Sequence, residues 1–152
     1  MSTERPFAED LGFLLSRASG VVAKSVSEAL APLGLRVRSY SVLAFVCEQA
    51  EGVTQRRLAA LMGLDPSQIV ALVDDLEDRG LVSRGMDPND RRNKLITATR
   101  EGHRVRHAAQ LRVDEEHVGY FDQIPQENLR DLREALRRIA FPEEAPVTPS
   151  TS

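Results

Sequence analysis

A mostly α-helical fold carrying one small β-hairpin is what the sequence predicts, and three observations predict it. Between Thr54 and Gly80, two short runs place apolar residues at helical spacing with only Gly63-Leu64-Asp65-Pro66 between them. Between Leu81 and Ala98, two extended runs flank the turn-rich, arginine-bearing segment GMDPNDRRN. Longer helical runs lie on both sides of this central stretch. In order these elements read as helix, turn, helix and hairpin wing, a winged helix-turn-helix with long terminal helices.

The first helix is read from Ala8 to Leu33, where Leu11, Leu14, Leu15, Ala18, Val22, Val26, Ala29, Leu30 and Leu33 repeat at helical spacing before Pro32 and Gly34 close the run. It has no obvious partner in the central stretch, so it is either an inter-subunit helix or the core helix of a monomer. Ser39 is expected to cap a second helix running to about Ala50, with Val42, Leu43, Phe45 and Val46 on its apolar side and Gly52 beyond its end. Val53 and Thr54 can form a very short strand, and Thr54 is placed to cap Gln55 to Met62, with Leu58, Ala59, Leu61 and Met62 facing inward.

Asp65 caps the next helix, and Pro66 suits its first turn, where a missing N–H costs nothing. Ile69, Leu72, Val73 and Leu76 form its buried stripe, and Gly80 sits where a left-handed C-cap is wanted. The wing strands are read as Leu81 to Arg84 and Lys94 to Ala98. Thr99, with Glu101 in the first turn, starts a helix to about Tyr120 whose Val105, Ala108, Ala109, Leu111, Val113 and Val118 make a ragged apolar pattern. Pro125 opens a final helix with the regular stripe Leu129, Leu132, Leu136 and Ile139, and the end of the chain, FPEEAPVTPSTS, reads as a disordered tail.

The 152 residues, 41% of them hydrophobic, suffice for one domain with a core and long arms. No apolar run approaches the roughly 18 residues of a membrane span, and MSTERPFAED has acids where a signal peptide carries bases, so a soluble cytoplasmic protein is expected. The single cysteine, Cys47, makes no internal disulfide and agrees with a reducing compartment. A net charge of -3 argues against a uniformly basic nucleic-acid binder. The distribution is uneven, however: from Arg79 to Arg106 eight arginines and lysines face three acids, a local charge of +5. Counting alone leaves a merely solvated charged face as the alternative.

A DNA reading assigns roles to particular side chains. Arg56 and Arg57, on the outside of the first short helix, would meet phosphates, although exposed arginines on any surface helix are the simpler reading. Ser67, Gln68 and Ala71 at the start of the second helix would lie nearest base edges, with Gln68 suited to bidentate contact with adenine. Asp74, Asp75, Glu77 and Asp78 would be repelled by phosphates, so this helix is expected to insert by its first turns only. In the wing, Pro88 fixes one turn angle, and Asp90 is near enough to pair with a neighbouring arginine and hold it extended. A tip arginine suits a narrow minor groove, which makes Arg84, Arg91, Arg92 and Lys94 the basic candidates here.

The run LMGLDPSQIVALVDDLEDRGLVSRGMDPNDRRNKLITATREG resembles the recognition helix and wing of the MarR family of winged-helix transcription regulators, and the resemblance extends over roughly Leu11 to Ile139. It is carried by the LEDRGLV helix exit, the DPNDRR wing tip and the LITATREG start of the next helix. The resemblance implies double-stranded DNA as partner, a homodimer whose first and last helices interlock, a pseudo-palindromic operator, and repression relieved by a small ligand. It divides the chain into an N-terminal dimerisation helix (1–34), a winged module (35–102), C-terminal dimerisation helices (103–141) and a tail (142–152). Asp90 and Arg92 fall on the family's D-x-R wing motif, Arg92 as the minor-groove finger and Asp90 as its orienting partner. Ser67 and Gln68 fall on positions that commonly meet DNA in similar proteins. Where relatives often carry Thr, Arg and Arg, this chain has Val70, Ala71 and Asp75, so affinity is expected to lean on the wing. A small aromatic or phenolic effector is expected between the dimerisation helices and the DNA lobe, with Arg17, Arg38 and Tyr40 as polar lining; surface or interface positions are the alternative for all three. No cofactor is implied.

Cys47 brings to mind the thiol-based peroxide sensors among relatives, but their reactive cysteine lies in the first helix, whereas Cys47 sits beside Phe45 and Val46 and reads better as a small buried hydrophobe. His103 and His107 stand at i, i+4, a zinc-compatible spacing shared with zinc-responsive members of the family, yet the other ligands are missing and a surface pair is preferred. An enzyme finds no support: there is no phosphate-binding glycine loop, nucleophile elbow or metal cluster. A winged helix used for protein contacts is the remaining alternative, and the basic wing speaks against it.

Overall fold

The computed structural model describes residues 4–144. Helix α1 (Leu11–Leu30) starts three residues later than the periodicity indicates, because Asp10 accepts the Phe13 N–H at 2.9 Å and fixes the N-terminus. Short 3-10 turns, Phe7–Glu9 and Ala31–Leu33, flank it. Only its C-terminal end joins the core, through Val26 and Leu30; Leu11, Leu14 and Leu15 are exposed. Helix α2 (Val37–Glu48) does not begin at Ser39. Leu35 is buried, and its N–H reaches back to Leu30 O, so the chain turns into the helix early, with Arg36 as an N-cap that supplies no side-chain bond. Ser39 is instead buried in the first turn.

Helix α3 (Gln55–Met62) is capped by Thr54, whose Oγ1 accepts the Arg57 N–H at 3.2 Å, and ends at Gly63 in the left-handed region (φ 62°). Helix α4 (Pro66–Asp78) buries Ile69, Val73 and Leu76 completely. Strands β1 (Val82–Asp87) and β2 (Asp90–Ala98) pair antiparallel, Val82 opposite Ala98 through Met86 opposite Lys94. Both run further than their apolar alternation shows: Gly85 and Met86 are held by backbone pairing to Leu95 and Lys94 and need no buried face, and β2 continues past the paired residues to Asp90. Val53 adds a bridge to Ile96, with N···O distances of 3.0 and 2.8 Å, confirming the very short strand expected there at one residue. Helix α5 (Arg100–Phe121) buries Gly102, Val105, Ala109 and Val113, a regular stripe that omits the exposed Leu111 and Val118 and so removes the raggedness of the sequence pattern.

The chain divides into two compact units, the first ending at Glu116 and the second beginning at His117. The core lies in the first unit, where Leu30, Leu43, Leu58, Ile69, Leu76 and Ile96 are each fully buried. Burying such a side chain contributes about 1.5–3 kcal/mol, which fixes how α2, α3, α4 and the hairpin stand together. The second unit contains α6 (Gln126–Ala140), which buries no residue and leaves Leu132, Leu136 and Ile139 exposed. Of the expected tail, Pro142–Glu144 forms a 3-10 turn and residues 145–152 lie outside the described residues. No single helix among the described residues is long and apolar enough to cross a membrane.

Candidate nucleic-acid interface

The outer face of α4 is set by its cap. Gln68 accepts the Asp65 backbone N–H through Oε1 at 3.1 Å, closing a capping box across the first turn. One lone pair of its carbonyl oxygen is therefore used in the cap, and bidentate reading of adenine would draw on the other together with the amide N–H. Ser67, Gln68 and Ala71 are all exposed on this face, as the buried stripe on the opposite side demands. On α3, Arg56 and Arg57 are exposed, and the Arg57 guanidinium lies 5.9 Å from the Phe45 ring centre, a cation–π contact that leaves its charge uncompensated.

Arg84 is placed differently from the other basic candidates. Its guanidinium meets Asp74 at 2.6 Å, Glu77 at 2.9 Å and Gln55 Oε1 at 3.1 Å, and its backbone N–H donates to Glu77 at 2.9 Å. Only 15% of the side chain is exposed. Its donors are committed inside the protein, so Arg84 is withdrawn from the set facing a phosphate; it ties β1 to α4 and α3. The same contacts correct the charge count. Two of the four acids on α4 expected to repel DNA are counter-ions to Arg84, while Arg104 pairs with Glu101 and Arg106 with Glu48. Much of the +5 is thus spent internally. Arg84→Met is expected to lower stability by about 1–2 kcal/mol in urea unfolding, with partial recovery when Asp74→Asn and Glu77→Gln are added. No loss would show the ion pairs to be incidental.

The wing tip, like Arg56 and Arg57 on α3, stays uncompensated. Between Met86–Lys94 and Asp87–Asp90, the pairing skips Arg91, Arg92 and Asn93, so three residues of β2 stand opposite none of β1. Asp87 accepts the Asn89 N–H at 2.8 Å across the two-residue turn, and Asp90 accepts the Arg92 N–H at 3.0 Å and the Asn93 side-chain amide at 3.4 Å. Asp90 therefore orients Arg92 through the backbone and not through its guanidinium, which corrects the expected side-chain pair. Arg91, Arg92 and Lys94 are exposed, and their charged side-chain groups have no carboxylate within 4.0 Å among the described residues.

The base of the wing is locked to α5. Thr99 Oγ1 donates to Gly80 O at 2.6 Å and accepts the Gly102 N–H at 3.0 Å, while the Thr99 N–H donates to Leu81 O at 3.0 Å. A Cβ on Gly102 would lie 2.0 Å from Leu81 O, so no other residue fits there without moving the chain.

The three expected effector residues differ in their surroundings. Arg17 is exposed on α1, and Arg38 lines a cleft beside α4 whose lining includes neither Arg17 nor Tyr40. Tyr40 is half-buried; burial raises its pKa, Arg106 opposes the rise, and Asp114 and Glu48 add to it. Arg36 and Arg79, which share the cleft with Arg38, have no role in the sequence reading, and Ser39 enters it only as an expected helix cap, since nothing in the spacing links residues 34–39 to 68–79. Burial also pushes the Cys47 thiol up, with Arg106 opposing and Glu48 reinforcing, which keeps it protonated and poorly nucleophilic. Peroxide is accordingly expected to act identically on DNA binding by the native chain and by Cys47→Ser. His103 and His107 are exposed on α5, and the described residues contain no group of three or more His, Cys, Asp or Glu side chains arranged to hold a metal.

A helix-turn-helix followed by a hairpin with a basic tip defines a winged helix-turn-helix protein. A MarR-family profile matches residues 33–93. The chain is 33% identical over 92 residues to the HTH-type transcriptional repressor Rv2887 of Mycobacterium tuberculosis, a match covering 60% of this chain and 66% of that protein. Among solved structures it is similar to CouR from Rhodococcus jostii RHA1 bound to p-coumaroyl-CoA, at 60% identity and TM-score 0.88 over 91% of this chain and 97% of that one. It is also similar to a MarR-family transcriptional regulator from Rhodococcus sp. RHA1, at 59% identity and TM-score 0.85 over 91% and 98% of the two chains. The chain belongs to the MarR family of transcriptional regulators.

Proposed function

We propose that the protein is a transcriptional repressor that binds a pseudo-palindromic operator as a homodimer, with α4 in the major groove and the wing in the minor groove. The observation that carries this reading is the wing tip, where Arg91, Arg92 and Lys94 are exposed without counter-ions on a ribbon whose turn is pinned by Asp87 and Asp90. Arg56 and Arg57 supply phosphate contacts, and Ser67, Gln68 and Ala71 do the limited base reading. Dimerisation is supported by the apolar residues left open to solvent on α1 and, separately, on α6. Dimers of this kind bury a comparable stripe from each partner.

The effector we propose is a coenzyme A thioester of an aromatic acid, on the likeness to CouR, whose structure contains p-coumaroyl-CoA. Fluorescence anisotropy with promoter fragments at fixed salt, with and without p-coumaroyl-CoA, tests both parts, and sedimentation should return twice the 16.9 kDa chain mass. A folded protein that shifts no fragment at moderate salt would refute the operator reading. Binding that the thioester does not weaken would refute the effector.

A further inference from the structure

Helix α4 carries no lysine or arginine between Pro66 and Asp78. An arginine or lysine on guanine O6 and N7 is the commonest specific contact in a major groove, and this helix has neither residue to make it. What its first turns present instead follows from the helical period. Ile69, Val73 and Leu76 are completely buried, so Ser67 and Ala71, one turn apart, stand at the centre of the opposite face, with Gln68 on one flank and Val70 on the other. Gln68 uses one lone pair of its amide oxygen on the Asp65 N–H at 3.1 Å. Beside it, the open surface of these turns is a hydroxyl, a methyl and an isopropyl group.

Val70 has no local reason to be where it is. It is 37% exposed, and a β-branched residue on an exposed helical face gains neither packing nor helix propensity. Departures of this kind from local preference collect where a side chain meets a ligand. Its flank is also the one that a polyanion can approach. Asp74, one turn further along on the same side, has its carboxylate held by Arg84 at 2.6 Å, whereas Asp75, with no cation within 4.0 Å among the described residues, lies on the Gln68 flank.

We propose that Val70 and Ala71 read thymine by its C5-methyl group, so that the base pairs facing α4 in each half-site are T·A and not G·C. Of the four bases thymine alone carries a methyl in the major groove, and an aliphatic contact to it needs neither donor nor acceptor from the helix. Covering that methyl with the isopropyl group of Val70 contributes about fourfold in affinity per half-site, the effect of withdrawing one methyl from water. 5-Methylcytosine presents the same methyl group and is expected to bind better than cytosine for the same reason. Methyl reading rests on the operator reading given above, and brings into it a side chain, Val70, outside the set of Ser67, Gln68 and Ala71.

The test starts from duplexes that the full native chain selects out of a random library at fixed salt. Each thymine of the selected sequence is then replaced in turn by deoxyuridine, which lacks only the methyl. At the thymines facing α4 the exchange should weaken native binding about fourfold per half-site. In Val70→Ala the same exchange should matter less than about twofold, because most of the covering surface is gone. That variant should melt at or above the native temperature and keep the native salt slope, since it loses no buried contact and no phosphate contact and alanine favours the helix. Ala71→Arg supplies the missing guanidinium and should select G·C where the native chain selects T·A. Indifference of the native chain to uracil at every thymine overturns methyl reading, as does an undiminished thymine preference in Val70→Ala; an Ala71→Arg protein that selects the native sequence removes Ala71 from the contact. All three results leave the operator reading standing. A folded native chain that enriches no sequence overturns both.

Discussion

Arg92→Ala is expected to abolish tight operator binding, with affinity falling by about tenfold to a hundredfold and the slope of log affinity against log salt dropping by about one. The effect is large because several basic residues close to the wing are already neutralised within the chain. Arg84, Arg104 and Arg106 are committed to acids within the chain, and α4 presents alanine and aspartate at Ala71 and Asp75. A companion change separates charge from geometry. Asp90→Ala removes an acid and by charge alone should tighten binding, yet it also deletes the acceptor that holds the Arg92 N–H at 3.0 Å. Weaker binding with an undiminished salt slope is therefore expected from Asp90→Ala. Anisotropy titrations over a series of salt concentrations measure both variants, and an Arg92→Ala protein with native affinity would remove the wing from the mechanism.

Gly102→Ala is expected to be the most damaging single methyl in the protein, costing about 3 kcal/mol or more and lowering the melting temperature by about 10 °C. The added carbon would meet Leu81 O at 2.0 Å, and that atom is backbone, itself held at 3.0 Å by the Thr99 N–H, so no flexible side chain can give way. The start of α5 would have to move from the base of the wing, breaking the Thr99 bonds to Gly80 O and the Gly102 N–H. Calorimetry reads the first effect, and operator binding at a temperature where the variant is folded reads the second. A melting temperature within two degrees of native would mean that the junction is looser than its geometry indicates.

Much of this architecture was legible in the residues. The Thr54 cap, the Asp65-Pro66 start of α4 and the Thr99-to-Gly102 start of α5 are local devices, in which a side chain satisfies a backbone group three residues away, and spacing alone reveals them. The α1 start lies later than Ala8 because the Asp10 side chain fixes the first turn, and α2 starts before Ser39 because that residue, good at capping, is buried inside the first turn. The wing strands extend beyond their apolar alternation: Gly85 and Met86 pair with Leu95 and Lys94 through the backbone alone, and Arg91 to Asn93 continue β2 outside the ladder, which no side-chain pattern signals.

By itself, then, the sequence determined the order of elements, their caps and the stripes they bury, because these depend on contacts within one turn or one strand. Only the tertiary structure decided which charges are available. Arg84 finds Asp74, Glu77 and Gln55 across three elements, Arg79 reaches the carbonyls of residues 33 and 34, and Arg91 to Asn93 are left out of the ladder by a shift in register. A charge count along the chain cannot anticipate this, since ion pairing depends on distance in space between residues whose separation in sequence carries no such information.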